Sequence, residues 1–142
     1  MRVVLGCDHG GLTLKGVLHS ELSERGYTVE DCGTYGHDSV DYPDYAKVVV
    51  EKVVSGAADR GILICGTGQG MAMTANKMPG VRAAVVSDVF SAKMAMQHND
   101  ARVLCLGERI IGPSLALEIT SAWLEANFEG GRHQRRVDKI SG

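Results

Sequence analysis

The sequence lacks long apolar runs, and residues 1–8 lack the apolar segment and the cleavage site of a signal peptide. No stretch approaches the roughly 18 apolar residues that a membrane-spanning helix needs. An excess of one charge is also absent, because 15 Lys and Arg stand against 17 Asp and Glu, a net charge of −2. We therefore expect a cytoplasmic protein whose partners include neither a membrane nor a nucleic acid.

The cysteines include no C-x-x-C pair, so neither a zinc knuckle nor a redox dithiol is indicated. We therefore expect reduced thiols and no metal site. Free cysteine is among the most buried residue types, which favours small buried residues near strand ends for Cys7, Cys32 and Cys105. Cys65 differs from these three because glycines follow it closely, at positions 66, 68 and 70.

This glycine-rich stretch also lacks the features of a nucleotide-binding loop. Its alternating glycines do not have the G-x-G-x-x-G spacing of dinucleotide-binding turns, and no Walker lysine follows. It does lie between an apolar strand and a predicted helix, where glycines let backbone N–H groups approach an anion. The pattern indicates a nucleophile or base at Cys65, facing a cradle for a developing negative charge.

The chain of 142 residues is long enough for one domain, 1–142, with its own core. Near-continuous apolar strands alternate with segments of helical apolar spacing, which is typical of a parallel sheet covered on both faces. The sequence predicts a three-layer, Rossmann-like α/β fold with a five-stranded parallel sheet and helices on both faces. Strands are expected at 2–7, 28–32, 61–65, 82–86 and 102–106, and helices at about 12–25, 45–55, 71–77, 89–97 and 112–127.

The predicted strands place the candidate catalytic residues at two opposite edges of the sheet. Asp8 and His9 follow the first strand and Cys65 follows the third, so these residues could share one site if the two strands are neighbours. His98 precedes the fifth strand and belongs at the opposite edge. On topology alone it is either a C-terminal helix cap, the favoured reading, or part of the site of a second subunit.

The tail, residues 129–142, has two glycines after Glu129 and is then basic. Composition alone favours a solvated surface. Arg132 and Arg136 are four residues apart, however, so on a helix both guanidinium groups would face the same way, which suits binding of a phosphate.

The sequence resembles the type B ribose-5-phosphate isomerases and their relatives, the galactose-6-phosphate and allose-6-phosphate isomerases. The resemblance rests on six stretches that occur in the same order over nearly the whole chain. These stretches are Gly6-Cys7-Asp8-His9-Gly10-Gly11 with Leu14 and Lys15, Asp41-Tyr42-Pro43-Asp44, Cys65-Gly66-Thr67-Gly68-Gln69-Gly70-Met71, Ala75-Asn76-Lys77, Gln97-His98-Asn99-Asp100 and Glu129-Gly130-Gly131-Arg132-His133. Some members carry a carboxylate a few residues after the cysteine position in place of the thiol. Here Cys65 is present and position 69 is Gln, so the chain resembles the cysteine-base branch.

The resemblance implies interconversion of D-ribose 5-phosphate and D-ribulose 5-phosphate, a step of the pentose phosphate pathway, without a metal or a cofactor. Proton transfer would pass through an enediolate, with Cys65 as the base. The resemblance further implies catalytic roles for Thr67, His98 and Asp8, with His98 opening the sugar ring. Substrate binding would fall to His9, Tyr42, Gly66, Gly68, Gln69, Gly70, Asn99, Arg109, Arg132 and Arg136.

The topology and the resemblance together favour a subunit partner. If His98 acts on the sugar, it must come from another copy, so a homodimer or a dimer of dimers with interfacial active sites is expected. Two alternatives remain open. One is an isomerase of a six-carbon sugar phosphate, allose 6-phosphate or galactose 6-phosphate, and the other is a non-catalytic sugar-phosphate-binding module.

Overall fold

The computed structural model describes residues 1–141, which form one sheet covered by helices. The strands are β1 (Arg2–Cys7), β2 (Thr28–Asp31), β3 (Arg60–Cys65), β4 (Ala83–Val85) and β5 (Val103–Gly107). The helices are α1 (Leu12–Glu24), α2 (Tyr42–Val54), α3 (Gln69–Ala75), α4 (Val89–Asn99), α5 (Pro113–Glu125) and α6 (Arg132–Ser141), and a 3₁₀ turn at His9–Gly11 precedes α1. All strand pairs are parallel, in the order β2-β1-β3-β5-β4, which confirms the predicted α/β fold.

The start of α2 differs from the prediction. The helix begins at Tyr42 rather than near position 45, with Asp41 in an extended conformation just before it and Pro43 in its first turn. Proline fits there because the first helical N–H groups have no partner inside the helix. The segment 42–44, expected to be loop, is therefore helical, and this places the Tyr42 ring on the body of α2. Likewise, α3 begins at Gln69 rather than at position 71.

The two faces of the sheet are packed by different helices. Buried residues of α1, α4 and α5 form one core with the sheet, and those of α2 and α3 form the other. Along β3, Ile62 and Ile64 face the first core, whereas Leu63 and Cys65 face the second. This alternation follows from the two-residue period of a strand and puts the Cys65 side chain on the α2–α3 face.

The sheet order makes β1 and β3 neighbours, as the placement of Asp8 beside Cys65 requires. From β1 the chain first winds outward to β2, and then returns to add β3 on the opposite side. The gap between β1 and β3 is therefore the point where the winding direction reverses, which is the usual place for a ligand in an open α/β sheet.

At the opposite, amino edge, the end of α5 is held by Arg60 and Trp123. The Arg60 guanidinium donates to the carbonyls of Trp123 and Ala126, and the Trp123 indole N–H donates to Ala101 O at 2.8 Å. Burial lowers the pKa of Arg60 from its ordinary value. No helix within residues 1–141 is long and apolar enough to span a bilayer.

Candidate active site

The Cys65 side chain ends β3 and is almost closed off from solvent, with 6% of its surface exposed. The backbone N–H of Gly68 donates to its sulfur at 3.1 Å. Gly68 has a φ of +78°, and a β-carbon there would lie 2.9 Å from Val85 Cγ2 and 3.0 Å from the Leu106 carbonyl carbon. Only glycine fits this conformation and this space, so the loop geometry that aims an N–H at the thiol depends on Gly68.

The other three cysteines lie in less reactive surroundings. Cys7 and Cys105 are fully buried, as predicted, whereas Cys32 is only half-buried. Burial is the main reason that the pKa of Cys7 is raised to about 11 and that the pKa values of Cys32 and Cys105 are raised from their ordinary range. Because the thiolate is the reactive form, these three thiols are poor bases near neutral pH.

Asp8 and His9 follow β1 and lie against the Cys65 loop. The Asp8 N–H donates to Ile64 O at 3.2 Å, and a β-carbon on Gly10 would lie 3.3 Å from the Gly66 nitrogen. The Asp8 carboxylate is 7% exposed and accepts from the Gly10 N–H at 2.8 Å. The prediction that the carboxyl ends of β1 and β3 lie side by side is therefore confirmed.

The tautomer of His9 follows from its hydrogen bond. His9 Nδ1 accepts from the backbone N–H of Val40 at 3.2 Å. A neutral imidazole that accepts at Nδ1 carries its proton at Nε2. His9 can therefore donate a hydrogen bond from Nε2, which suits an anionic ligand oxygen.

Tyr42 packs directly over the glycine loop. A β-carbon on Gly70 would lie 2.5 Å from Tyr42 Cε1, so the ring occupies the space that any larger residue would need. The exposed Thr67 and Gln69 are linked by a hydrogen bond of 3.4 Å from the Gln69 N–H to Thr67 Oγ1. Both line a neighbouring cleft of about 650 Å³, which Cys65 does not line.

Arg109 reaches the same loop from the end of β5. Its backbone N–H donates to Gly66 O at 3.0 Å, and the Glu108 N–H donates to Cys65 O at 3.0 Å. A β-carbon on Gly66 would lie 3.7 Å from Arg109 Nε. The guanidinium therefore lies beside the loop, as a residue that helps to bind the substrate would require.

Glu108 is a residue that sequence reasoning missed. Its carboxylate accepts from the N–H of Leu14 at 2.6 Å and so caps the first turn of α1, just after the Asp8 segment. This stabilises the helix start because the first N–H groups of a helix lack partners within it. No sequence signal indicates the contact, since the two residues are 94 positions apart.

His98 and Asn99 end α4 and lie at the amino edge of β5, as predicted from the topology. Cys65 pairs with Gly107 at the far end of β5. The strand between these edges is about 13 Å long at roughly 3.3 Å per residue. Within one chain, the structure therefore does not bring His98 or Asn99 to Cys65.

His98 does have unexpected neighbours, His133 on α6 and Glu129 just before that helix. The His98 and His133 rings are stacked, with centroids 4.1 Å apart and planes at 11°. Glu129 lies 3.9 Å from His98 Nε2 and 3.8 Å from His133 Nε2, through different carboxylate oxygens. We call His98, Glu129 and His133 the amino-edge cluster. The four-residue spacing of Glu129 and His133 was the only sequence signal for it.

The side-chain nitrogen and oxygen atoms of this cluster that could bind a metal ion lie within 4.8 Å of one another. Ring nitrogens bind a metal in the plane of the ring. Two nearly parallel, stacked rings have separate planes, so a single ion cannot lie in both. In this arrangement the cluster is suited to holding His98 rather than to chelation.

Arg132 and Arg136 are both exposed, and the helix that the spacing required is present as α6. The tail is attached to the end of α4, because the Glu129 N–H donates to Gln97 O at 3.0 Å. The two arginines therefore lie with the amino-edge cluster and away from the Cys65 loop of the same chain.

The sequence matches known proteins over almost its whole length. The model of the family described as Ribose/Galactose Isomerase matches residues 3–140. A ribose-5-phosphate isomerase B of Escherichia coli is 49% identical over 140 residues, which cover 99% of this chain and 94% of the relative.

Solved structures agree with this match. Ribose-5-phosphate isomerase B of Clostridium thermocellum has a TM-score of 0.98 at 53% identity, covering 99% of this chain and 95% of that one. The Mycoplasma genitalium ribose-5-phosphate isomerase B with bound ribulose-5-phosphate has a TM-score of 0.95 at 46% identity, covering 99% and 93%. The chain therefore belongs to the ribose/galactose isomerase family.

Proposed function

We propose that this protein interconverts D-ribose 5-phosphate and D-ribulose 5-phosphate, with Cys65 as the base. The observation that carries the proposal is the Gly68 N–H aimed at the Cys65 sulfur, beside Asp8, at the switch point of the sheet. Relatives named for this reaction, one of them with bound ribulose-5-phosphate, support the choice of substrate.

The chemistry needs one base and a set of hydrogen-bond donors. The Cys65 thiolate removes the proton from C2 of the open-chain aldehyde, and the electron pair forms an enediolate whose charge lies on oxygen. Backbone N–H groups of residues 66–70 stabilise that oxygen. The proton then returns from the Cys65 thiol to C1, while Asp8 and Thr67 move a proton between O1 and O2. Atoms and electrons balance without a further reactant.

Phosphate binding is assigned to groups on both edges of the sheet. At the carboxyl edge, His9 offers its Nε2 proton and Arg109 its guanidinium. Arg132 and Arg136 would come from a second copy and form paired, charge-assisted hydrogen bonds with phosphate oxygens. Asn99 of that copy and Tyr42 would line the sugar pocket.

A homodimer, alone or as half of a dimer of dimers, completes the site in this proposal. The cleft beside Thr67 has an apolar rim that includes Met73 and Ile110, which are 66% and 58% exposed. Large exposed apolar side chains around a cleft favour association. A second copy docked there would carry its own amino-edge cluster toward the Cys65 loop.

The reaction is tested with a panel of five- and six-carbon aldose phosphates assayed for ketose formation. We expect ribose 5-phosphate to react fastest and Cys65→Ser to reduce its turnover by about 10³-fold, within the usual range for loss of a general base. Cys32→Ser is the matched control and should stay near the wild-type rate. Faster turnover of a six-carbon substrate would reassign the substrate, and no turnover of any sugar would favour a binding module.

A further inference from the structure

We propose that His133 and Glu129 are positioning residues that hold His98 in the orientation needed to open the sugar ring of a second subunit's substrate. This inference rests on the proposed function, because it assumes that His98 is the ring-opening group. It concerns two side chains that the reaction scheme above does not use.

The amino-edge cluster is built to hold one ring against another. His133 is 6% exposed, and its backbone N–H donates to Gly130 O at 3.0 Å, which fixes the start of α6. Its ring stacks on the more exposed His98 at a centroid distance of 4.1 Å. The backbone bond from Glu129 to Gln97 ties the same segment to the last turn of α4. His98 therefore has the buried His133 ring on one side, and 36% of its own side chain is exposed.

The surroundings of His133 disfavour a proton on its ring. The groups that act on His133 are Glu129, Arg132 and Arg136 from the tail and His98 from α4. A proton on this buried ring would lose hydration and meet two cationic arginines. In agreement, burial and the neighbouring His98 hold the pKa of His133 below its ordinary value.

Ring opening is a proton transfer that a single imidazole, that of His98, can carry out. The furanose form of ribose 5-phosphate loses the proton of its C1 hydroxyl, the bond from C1 to the ring oxygen breaks, and the ring oxygen gains a proton. The net change moves one proton between two oxygens of the same sugar. A single imidazole can take the first proton and supply the second if its orientation is held during the step.

Two reactions distinguish a variant that misplaces His98 from a variant that disturbs the whole active site. Turnover of ribose 5-phosphate requires ring opening. Exchange of the C1 proton of ribulose 5-phosphate with deuterium from the solvent, followed by NMR, requires only the Cys65 step, because this ketose is open-chain. We would measure both for Glu129→Gln, His133→Ala, His133→Phe and His98→Asn, with His19→Ala and Glu125→Gln as controls.

We expect His133→Ala and Glu129→Gln to lower turnover of ribose 5-phosphate by about 10- to 100-fold, the usual effect of a small misplacement of a catalytic group. Deuterium exchange should stay within about twofold, since the Cys65 loop is untouched. His133→Phe keeps a flat ring behind His98 and should recover most of the lost turnover. The controls should match the wild type in both reactions.

Equal loss of turnover and exchange, or no loss in either variant, would overturn the inference. Glu129→Gln keeps the shape of an exposed side chain, so it gives an answer even if His133→Ala folds poorly. If His98→Asn lowers turnover selectively while the other variants do not, only this inference fails. If His98→Asn leaves turnover unchanged, the assignment of His98 itself fails.

Discussion

At the carboxyl edge of the sheet, the functional loops are joined to one another by backbone hydrogen bonds, whereas at the amino edge the neighbours of His98 are side chains of the tail. At the carboxyl edge, loops after β1, β3 and β5 are joined by bonds such as Asp8 N–H to Ile64 O and Arg109 N–H to Gly66 O. At the amino edge, the His98 ring at the end of α4 stacks on His133 and lies 3.9 Å from the Glu129 carboxylate, and both of these neighbours belong to the tail. In the proposed mechanism, the groups of the proton-transfer step would therefore be fixed by the sheet, whereas the position of His98 would depend on docking of the tail.

The strongest way to test whether the two edges work together is to mix two inactive variants. Cys65→Ala and His98→Asn should each have low turnover of ribose 5-phosphate. If a site takes Cys65 from one copy and His98 from the other, a mixed dimer has one intact site. Random re-assembly of equal amounts should then restore about a quarter of wild-type turnover, since half of the dimers are mixed.

This experiment is read as turnover after the two variants are unfolded together and refolded. Separate refolding followed by mixing without exchange is the control and should give no gain. Activity that stays at the level of the two variants would mean that each chain builds its own site.

The next largest effect is expected at the loop of the carboxyl edge. Gly68→Ala adds a β-carbon at a positive φ and 2.9 Å from Val85, so the N–H that faces Cys65 must move. Loss of one such donor typically lowers the rate constant by about 10²- to 10³-fold. Both turnover and C1 exchange should fall together, unlike the variants of the amino-edge cluster.

Gly16→Ala is the matched control for Gly68→Ala. Gly16 lies within α1, and a β-carbon there would meet no atom within 4 Å. Turnover should be unchanged and the free energy of unfolding should rise by about 0.5–1 kcal/mol, because alanine is the better helix former. A similar loss of turnover in both variants would contradict the role of the loop.

The smallest effect is expected from the exposed arginines of α6. Arg136→Ala should raise KM for ribose 5-phosphate by about 10- to 100-fold with little change in kcat, since a charge-assisted phosphate contact contributes about 1.5–3 kcal/mol and acts on binding. Arg135→Ala, which removes the same charge from the neighbouring position, is the control. An equal rise in KM for both variants would indicate a general charge effect instead of a specific contact.

The sequence was informative wherever the signal was local. Apolar spacing located all five strands and the five helices α1–α5, and the glycines after Cys65 indicated an anion-binding turn. The boundaries were less accurate where capping decided them, as at Tyr42, because Asp41 and Pro43 start the helix earlier than the apolar pattern begins. Most residues of the candidate site could be named because they lie in short, ordered motifs that carry the family resemblance, whereas Arg109 and Arg136 lie outside these motifs.

The parts that could not be predicted involve residues far apart in the chain. The bond from Leu14 to Glu108 and the stack of His98 on His133 depend on which elements become neighbours, and no spacing along the chain encodes that. His133 lies in one of the motifs, but no sequence pattern indicates a role for it, because its burial against α4 is a property of the folded tail.

Taken by itself, the sequence determined the alternation of strands and helices, the thiol beside a glycine turn and the separation of His98 from Cys65 by a strand. The order of the strands and the docking of the tail were decided only in the tertiary structure. The physical reason is that the periodicity of apolar residues shows which face of a helix or strand is buried. Which other element packs on that face is decided by contacts between residues far apart in the chain. For this protein, that packing joins Asp8 to the Cys65 loop and sets His133 behind His98.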